Sequence, residues 1–171
     1  MLTALGDTHG TGNLRLTDRA GTVLEEAELV VHVGDFTTPA IYDAFEERAK
    51  ELIAVHGNSD TAELRGRLPT IRTVDWEDWR LLVVHGHEHD RTSLPLLARE
   101  RGADLAIVGH THRPGIERFG DLPVVNPGSH ADPRAGPPTH AELRPGRGML
   151  TVELRTGEGE TVDRKRIQGM G

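Results

Sequence analysis

The sequence contains no cysteine, few aromatic residues and almost no lysine. Without cysteine there are no disulfide bonds and no thiolate metal sites, so nitrogen and oxygen ligands must hold any metal ion. Aromatic residues make up 4% of the 171 residues, which leaves the packing of a core mainly to valine, leucine and alanine. Lys50 and Lys165 are the only lysines, so the positive charge is almost entirely arginine.

The chain also lacks a basic surplus and a long apolar run. Its formal net charge is -7, whereas a nucleic-acid binder needs basic groups to neutralise phosphates, so we expect no strong nucleic-acid binding. A small phosphorylated substrate is still compatible with this charge, because a bound metal ion reverses the local sign. No apolar stretch reaches the length of a membrane span and no signal-peptide pattern opens the chain, so we expect a cytoplasmic protein without membrane contact.

Length and apolar patterning predict a single α/β domain over residues 1–171. Short apolar runs bounded by Gly, Asn or Asp predict strands at 2–5, 29–33, 52–56, 81–85, 105–108, 124–126, 149–154 and 161–167. Amphipathic segments predict helices at 39–52 and 93–101, and hairpins are expected at 71–84 and around 156–159. Residues 127–148 are rich in Pro and Gly, which predicts an irregular loop.

Five of the predicted strands end in glycine-flanked groups of Asp, Asn or His. These groups are Gly6-Asp7-Thr8-His9-Gly10, Gly34-Asp35, Gly57-Asn58-Ser59-Asp60, His85-Gly86-His87-Glu88-His89-Asp90 and Gly109-His110-Thr111-His112. Each one alone fits an ordinary turn, helix cap or solvated loop. Ligands of α/β sheets bind outside the carboxyl ends of the strands. The five groups together therefore predict one metal site on one rim.

The ordered set of motifs resembles the calcineurin-like metallophosphoesterase superfamily. The segments Gly57-Asn58-Ser59-Asp60, His85-Gly86-His87 and Asn126-Pro127-Gly128-Ser129 resemble its small single-domain bacterial and archaeal phosphodiesterase branch. The resemblance covers the chain from residue 1 to about residue 155. It implies a fold of two β-sheets packed as a sandwich and flanked by helices, in four αββα layers.

The resemblance also implies a ligand set for two divalent transition-metal ions. One ion is expected on Asp7, His9 and His112, the other on Asn58, His85 and His110, with the Asp35 carboxylate bridging them. Manganese is the ion that we expect, and zinc, iron, cobalt and nickel suit the same donors. The implied reaction is attack of a metal-bridged hydroxide on phosphorus, in line with the leaving group. The implied substrate is a small phosphate ester, and we expect a phosphodiester in preference to a phosphomonoester.

One position departs from the family pattern, because Ser59 stands where many members have a histidine that protonates the leaving group. We predict His87 as the acid, with His89 and Asp60 as the other candidates. Asp60 has the alternative of orienting a histidine. We expect Asn58 and Arg134 to contact the substrate, although an exposed Arg is more often simply solvated.

Two other functions compete with the phosphodiesterase hypothesis. The same fold occurs in a retromer subunit that serves as a protein-binding scaffold, and a metal-poor scaffold would tolerate the loss of ligands. A mononuclear hydrolase acting on another ester is the second alternative. The presence of all seven ligand types favours the dinuclear enzyme over both. The natural substrate stays open, and a homo-oligomer is compatible with the sequence.

Overall fold

Two β-sheets form the centre of this computed structural model, which describes residues 1–16, 18–134 and 136–169. In chain order the elements are β1 (Leu2–Leu5), α1 (Asp18–Glu26), β2 (Leu29–His32), α2 (Pro39–Arg48), β3 (Leu52–Ala54), α3 (Ala62–Arg67), β4 (Ile71–Trp76), β5 (Trp79–Val84), α4 (Ser93–Arg101), β6 (Leu105–Ile107), β7 (Gly115–Phe119), β8 (Leu122–Asn126), β9 (Thr139–Gly146), β10 (Met149–Thr156) and β11 (Thr161–Gln168).

The first sheet has six strands in the order β11-β10-β9-β1-β2-β3. Its strands β1, β2 and β3 are parallel, and β9, β10 and β11 continue it in antiparallel pairs. The second sheet has five strands in the order β4-β5-β6-β8-β7. Here β5, β6 and β8 are parallel, while β4 and β7 are antiparallel edge strands. Parallel pairing places the carboxyl ends of β1, β2 and β3 on one rim, and likewise those of β5 and β6.

The apolar residues alternate between two faces of each sheet, and this alternation produces four layers. Val31 of β2 and Val83 of β5 belong to the core between the sheets, whereas Val30 packs toward the first three helices. On the outer face of the second sheet, Leu82 packs with Leu94 of α4. The order helix, sheet, sheet, helix confirms the predicted αββα sandwich.

Four features of the fold differ from the sequence-based expectation. Residues 139–146 lie in the segment predicted as an irregular loop, but they form β9, which pairs with both β1 and β10. The strand is buried, but its sequence contains no apolar run because His140 and Glu142 are polar. Apolar patterning therefore did not predict it. Helix α1 and strand β7 were also not predicted. The second helix ends at Arg48 and not at residue 52, because Leu52 begins β3.

The predicted hairpins are present as β4–β5 and β10–β11. None of the helices within the described residues has the length and apolar character needed to cross a membrane.

Candidate metal centre

The predicted ligands meet where the strand ends of both sheets come together. Asp7 and Asp35 follow β1 and β2 of the first sheet, and His85 and His110 follow β5 and β6 of the second. Hydrogen bonds join the two rims directly. The Asp7 Oδ2 accepts from the backbone N–H of His110 at 3.1 Å, and His85 Nδ1 lies 2.7 Å from the carbonyl oxygen of Val33. The site therefore lies between the sheets and belongs to neither alone.

Backbone strain is concentrated in these loops. Five of the seven predicted metal ligands have a positive φ, which non-glycine residues seldom adopt. They are Asp7 (50°), His9 (26°), Asp35 (60°), His110 (69°) and His112 (57°). Each such residue costs on the order of 1–3 kcal/mol and persists only where the surrounding structure enforces it. The strain turns side chains out of the strand direction and into one cleft.

Two glycines allow the loops to approach the carboxylates closely. A Cβ atom on Gly57 would lie 2.1 Å from Asp35 Oδ1, and one on Gly109 would lie 2.8 Å from Asp7 Oδ2. Both distances are shorter than the 3.0 Å below which Cβ atoms are essentially never found. Glycine is required at these positions by contact with the predicted ligands, and not by a turn alone.

One ligand atom from each of four side chains lies within 4.8 Å of the others. The four residues are Asp7, His9, Asp35 and His112, and all except half-buried His9 are buried. The Nε2 atom of His112 is 3.2 Å from Asp7 Oδ1 and 3.3 Å from His9 Nε2. The Asp35 Oδ2 is 3.9 Å from His9 Nε2. This spacing brings two imidazoles and two carboxylates to a single point.

The orientation of His112 suits metal ligation. Its Nδ1 is 2.7 Å from the carbonyl oxygen of Asp132, which can only accept, so Nδ1 carries a proton and Nε2 is the ring atom turned toward the cluster. There Nε2 lies near Asp7 Oδ1, a buried oxygen with no hydrogen-bond partner among the described residues. A histidine whose other ring nitrogen donates to a carbonyl is oriented as metal-binding histidines usually are. The donor set therefore suits a divalent ion.

A second group of donors lies beside the first. His85 Nδ1 donates to the Val33 carbonyl, which turns Nε2 toward Asn58 Oδ1 at 3.1 Å and Asp35 Oδ2 at 3.4 Å. The ring of His110 lies 5.3 Å from that of His85. Asp35 is thus adjacent to both groups of donors, as the resemblance implies for a bridging carboxylate.

Burial raises the pKa of both carboxyl groups and neighbouring histidines lower it, but the balance differs between the two. Burial raises the pKa of Asp7 to about 6, against the lowering effect of His85 and His112. Burial also raises the pKa of Asp35, but the hydrogen bond with His85, the charge of His85 and the amide of Ser59 outweigh it and hold the pKa well below its ordinary range. Asp35 is therefore ionised at neutral pH, which a metal-bridging oxygen requires.

Asp60 lies beneath the site and binds backbone amides. Its Oδ2 accepts from the N–H groups of Asp35 at 3.0 Å and Gly57 at 2.7 Å, and its Oδ1 accepts from Thr37 at 2.7 Å. The side chain is buried. These bonds fix the two loops that carry Asp35 and Asn58, and none of them goes to a histidine.

His87 and Arg134 lie at the edge of the cleft. The ring of His87 is 5.3 Å from that of His85 and 6.1 Å from that of His110. Burial, followed by the charge of His85, lowers the pKa of His87. Arg134 lines a cavity of about 390 Å³ together with His9, Asp35, Asn58, Ser59, His110, His112 and Asp132. Its Nε donates to Asp132 at 3.3 Å.

Several residues that position the ligands were not singled out by sequence reasoning. The carbonyls of Val33 and Asp132 orient His85 and His112, and a carbonyl leaves no sequence signal. Ser129 donates to the carbonyl of Asp7 at 2.7 Å. Asn126 donates to the carbonyl of Gly109 at 3.0 Å. Both side chains belong to the Asn126-Pro127-Gly128-Ser129 motif. The sequence indicated the motif, but it could not indicate which carbonyls the two side chains would bind.

Comparison with known protein families identifies the superfamily of this chain. The calcineurin-like phosphoesterase superfamily domain matches residues 1–145, which include every predicted ligand. The chain belongs to that superfamily. Its two sheets with their flanking helices are the fold expected of a member.

Archaeal proteins are among the relatives of this superfamily member. A probable metallophosphoesterase of Methanothermobacter thermautotrophicus is 33% identical over 168 residues, covering 92% of this chain and 93% of the relative. A phosphodiesterase of Methanocaldococcus jannaschii is 30% identical over 126 residues, covering 67% of this chain and 75% of the relative. The chain is thus related over most of its length to small metallophosphoesterases.

Solved structures with the same fold include a phosphoesterase and a vacuolar protein-sorting protein. The phosphoesterase YfcE of Escherichia coli superposes with a TM-score of 0.75 at 26% identity, covering 96% of this chain and 97% of that one. Vacuolar Protein Sorting 29 of Cryptosporidium parvum superposes with a TM-score of 0.82 at 18% identity, covering 98% and 97%. The second likeness shows the fold alone.

Proposed function

We propose that this chain is a phosphodiesterase that works with two divalent metal ions. The observation that carries the proposal is the cluster of Asp7, His9, Asp35 and His112, whose ligand atoms lie within 4.8 Å of one another. Asp7 Oδ1 is buried there without a hydrogen-bond partner among the described residues, and a bound metal ion would supply one. The relative named as a phosphodiesterase supports the choice of reaction.

The proposed ligands divide between the two groups of donors. One ion is assigned to Asp7, His9 and His112, the other to Asn58, His85 and His110, and Asp35 is shared. Manganese is the ion that we assign, and zinc, iron, cobalt and nickel are alternatives that the same nitrogen and oxygen donors accept. When bound, such a pair of ions acidifies a water molecule for in-line attack and offsets the charge of the phosphoryl oxygens.

Protein side chains around the ions are expected to bind the ester. Arg134 lines the cleft and adds positive charge beside the ligands. Asn58 is exposed at the same cleft, and its amide nitrogen bonds only weakly to Ser59, at 3.4 Å. We assign both side chains to the oxygens of the substrate. Two contacts at one face of the phosphoryl group would orient it for attack from the opposite side.

His87 is our candidate for the group that protonates the departing alkoxide. Its ring borders His85 and His110, so it lies at the edge of the reaction cleft. Asp60 is a weaker candidate, because both of its oxygens already accept backbone N–H groups and its side chain is buried. With Ser59 in the place of the usual histidine, we expect the enzyme to favour activated leaving groups.

The test joins a metal count with turnover of chromogenic esters. Purified protein loaded with Mn²⁺ should hold two ions per chain and hydrolyse bis(p-nitrophenyl) phosphate faster than p-nitrophenyl phosphate. Asp35→Asn and His85→Ala should abolish turnover without unfolding the protein, as judged by circular dichroism. Asp78→Asn is the matched control, since Asp78 is exposed in the β4–β5 turn.

The outcomes separate the competing functions. One ion per active chain would indicate a mononuclear hydrolase, and no bound ion with no turnover would indicate a scaffold. Turnover like that of the unmodified protein in both metal-loaded variants would refute the assignment of the site. The likeness to Vacuolar Protein Sorting 29 supplies the scaffold alternative, but its low identity carries no function to this chain.

A further inference from the structure

A cavity of about 560 Å³ lies beside the metal centre, on the side of the second sheet. The loops that carry the ligands also line this cavity. Gly86 follows ligand His85, and Thr111 stands between ligands His110 and His112. Arg134 lines both the cavity and the metal cleft. A molecule held at the metals can therefore extend directly into the cavity.

The floor of the cavity is apolar and includes an aromatic ring. It is formed by residues of α4, β7 and β8 and of the loop after β6, namely Leu94, Val108, Phe119 and Val124. The guanidinium of Arg91 lies over the Phe119 ring, 4.3 Å from its centroid. Flat arginine and phenylalanine surfaces favour a planar ring as their neighbour. A cavity of this size accommodates one ring system with its substituents.

The rim carries more positive than negative charge, in contrast to the acidic chain as a whole. Its arginines are Arg91, Arg113 and Arg134, and its acids are Asp90 and Glu117. Arg91 already pairs with Glu117. Among the described residues Arg113 has no acidic group within salt-bridge distance, and only its backbone N–H is hydrogen-bonded, to Thr111 at 3.4 Å.

Two acceptor oxygens that line the cavity are already engaged, Oδ1 of Asp90 and Oδ1 of Asn126. Asp90 Oδ1 accepts from the backbone of Thr92 and from the backbone and hydroxyl of Ser93. The Asn126 amide donates to Gly109 and Thr111, and its oxygen accepts from Gly128. An anionic ligand needs positive charge in the cavity, and the guanidinium of Arg113 supplies it.

We propose that this cavity binds one arm of the substrate, and that this arm is a planar ring carrying an anionic group. The inference rests on the proposed function, because the metal centre must hold the phosphoryl group to which the arm is attached. The ring lies against Phe119 and the apolar floor, and the anionic group meets Arg113. The cavity thereby selects among phosphate esters that the metal centre alone would treat alike.

The test uses three phosphonates that cannot be hydrolysed: methylphosphonate, phenylphosphonate and 4-carboxyphenylphosphonate. Their Kd values are measured by titration calorimetry on the Mn²⁺-loaded protein. We expect phenylphosphonate to bind about tenfold more tightly than methylphosphonate, because the ring leaves water for an apolar floor. The carboxylate should add about another tenfold through Arg113.

Two variants assign these gains to their residues. Phe119→Ala should remove most of the advantage of the ring and leave methylphosphonate binding unchanged, and Phe119→Leu keeps apolar volume if the alanine variant unfolds. Arg113→Gln should remove only the gain from the carboxylate. Arg72→Gln is the control for the arginine change, since Arg72 is exposed on β4 and lies outside the cavity.

Equal Kd values for the three phosphonates would overturn the inference, as would ratios that persist in both variants. If methylphosphonate still binds and the diester is still hydrolysed, the proposed function survives that failure. If no phosphonate binds and no ester is turned over, the function and the cavity assignment fail together.

Discussion

Replacing Gly57 with alanine tests the site through one methyl group. The new Cβ would lie 2.1 Å from Asp35 Oδ1, 2.7 Å from its Cγ and 2.8 Å from its backbone nitrogen. Clearing even 3.0 Å requires Oδ1 to move by about 1 Å. The backbone cannot yield instead, because Asp60 holds the N–H groups of both Asp35 and Gly57.

The size of the effect follows from the tolerance of metal coordination. Ligand distances in metal sites hold to within about 0.2 Å, so a shift of about 1 Å removes Asp35 as a shared ligand. A misplacement of that size costs roughly 100-fold in rate. The overpacking itself should lower the free energy of unfolding by about 1–3 kcal/mol. We expect a folded protein with at most one bound ion and kcat/KM for bis(p-nitrophenyl) phosphate reduced about 100-fold.

The assay compares Gly57→Ala with Gly66→Ala under saturating Mn²⁺. A Cβ on Gly66 meets nothing within 4 Å, and the residue lies in exposed helix α3. The Gly66 variant should keep full activity and gain up to about 1 kcal/mol of stability, because alanine favours the helix. A Gly57→Ala protein with two ions and a rate within twofold of the unmodified chain would refute the close approach of Gly57 to the metal ligand.

Three further predictions follow from single residues. Asp60→Asn should lower the free energy of unfolding by about 2 kcal/mol in urea titrations, because the amide nitrogen cannot accept the buried N–H bonds; Asp78→Asn should not. His87→Gln should slow diesters of aliphatic alcohols by roughly 100-fold but p-nitrophenyl esters by less than about threefold, in initial-rate measurements. For Glu142, burial raises the pKa, but the bonds from His140 and Arg19 outweigh it and hold the pKa at about 2. A depressed carboxyl pKa contributes stability above the ordinary value of 4.5 that is lost as pH falls toward 2. Urea unfolding should therefore show a loss of about 1–2 kcal/mol between pH 5 and pH 3 that is absent in Glu142→Gln, after an allowance for partly solvated arginines.

Each of these has a result that would count against it. Unchanged stability of Asp60→Asn together with lost turnover would make Asp60 the acid. Equal slowing of all esters in His87→Gln would leave His87 a supporting role only. A Glu142→Gln protein with the same acid-induced loss as the original would show that other carboxylates dominate.

Local pattern predicted most strands but failed where burial depends on distant partners. The apolar run at 29–33 marks β2 without any tertiary information. Strand β9 has no such mark, because His140 and Glu142 occupy buried positions that Arg19 of α1 and Arg144 make tolerable. Helix α1 was missed for a related reason. Gly21 interrupts its pattern, and packing of Leu24 into the core compensates for that weak propensity.

The sequence by itself determined which chemistry is available to this protein. Without cysteine, and with Asp, Asn and His at five strand ends, only nitrogen and oxygen coordination remained. Residue types and their order along the chain are local facts, so they can be interpreted without coordinates. Even the glycines beside the ligands were visible as signs of a backbone that must bend sharply.

The tertiary structure decided how those residues meet. The ligands come from two sheets and not from one, and the rims join only because the sandwich aligns the ends of β1 and β2 with those of β5 and β6. The carbonyls of Val33 and Asp132 fix the histidine rings that face the cleft. Every residue has a carbonyl, so no sequence pattern can indicate which ones will lie beside a ring nitrogen. Contacts between residues far apart in the chain depend on the packing of the whole core, which short-range periodicity does not encode.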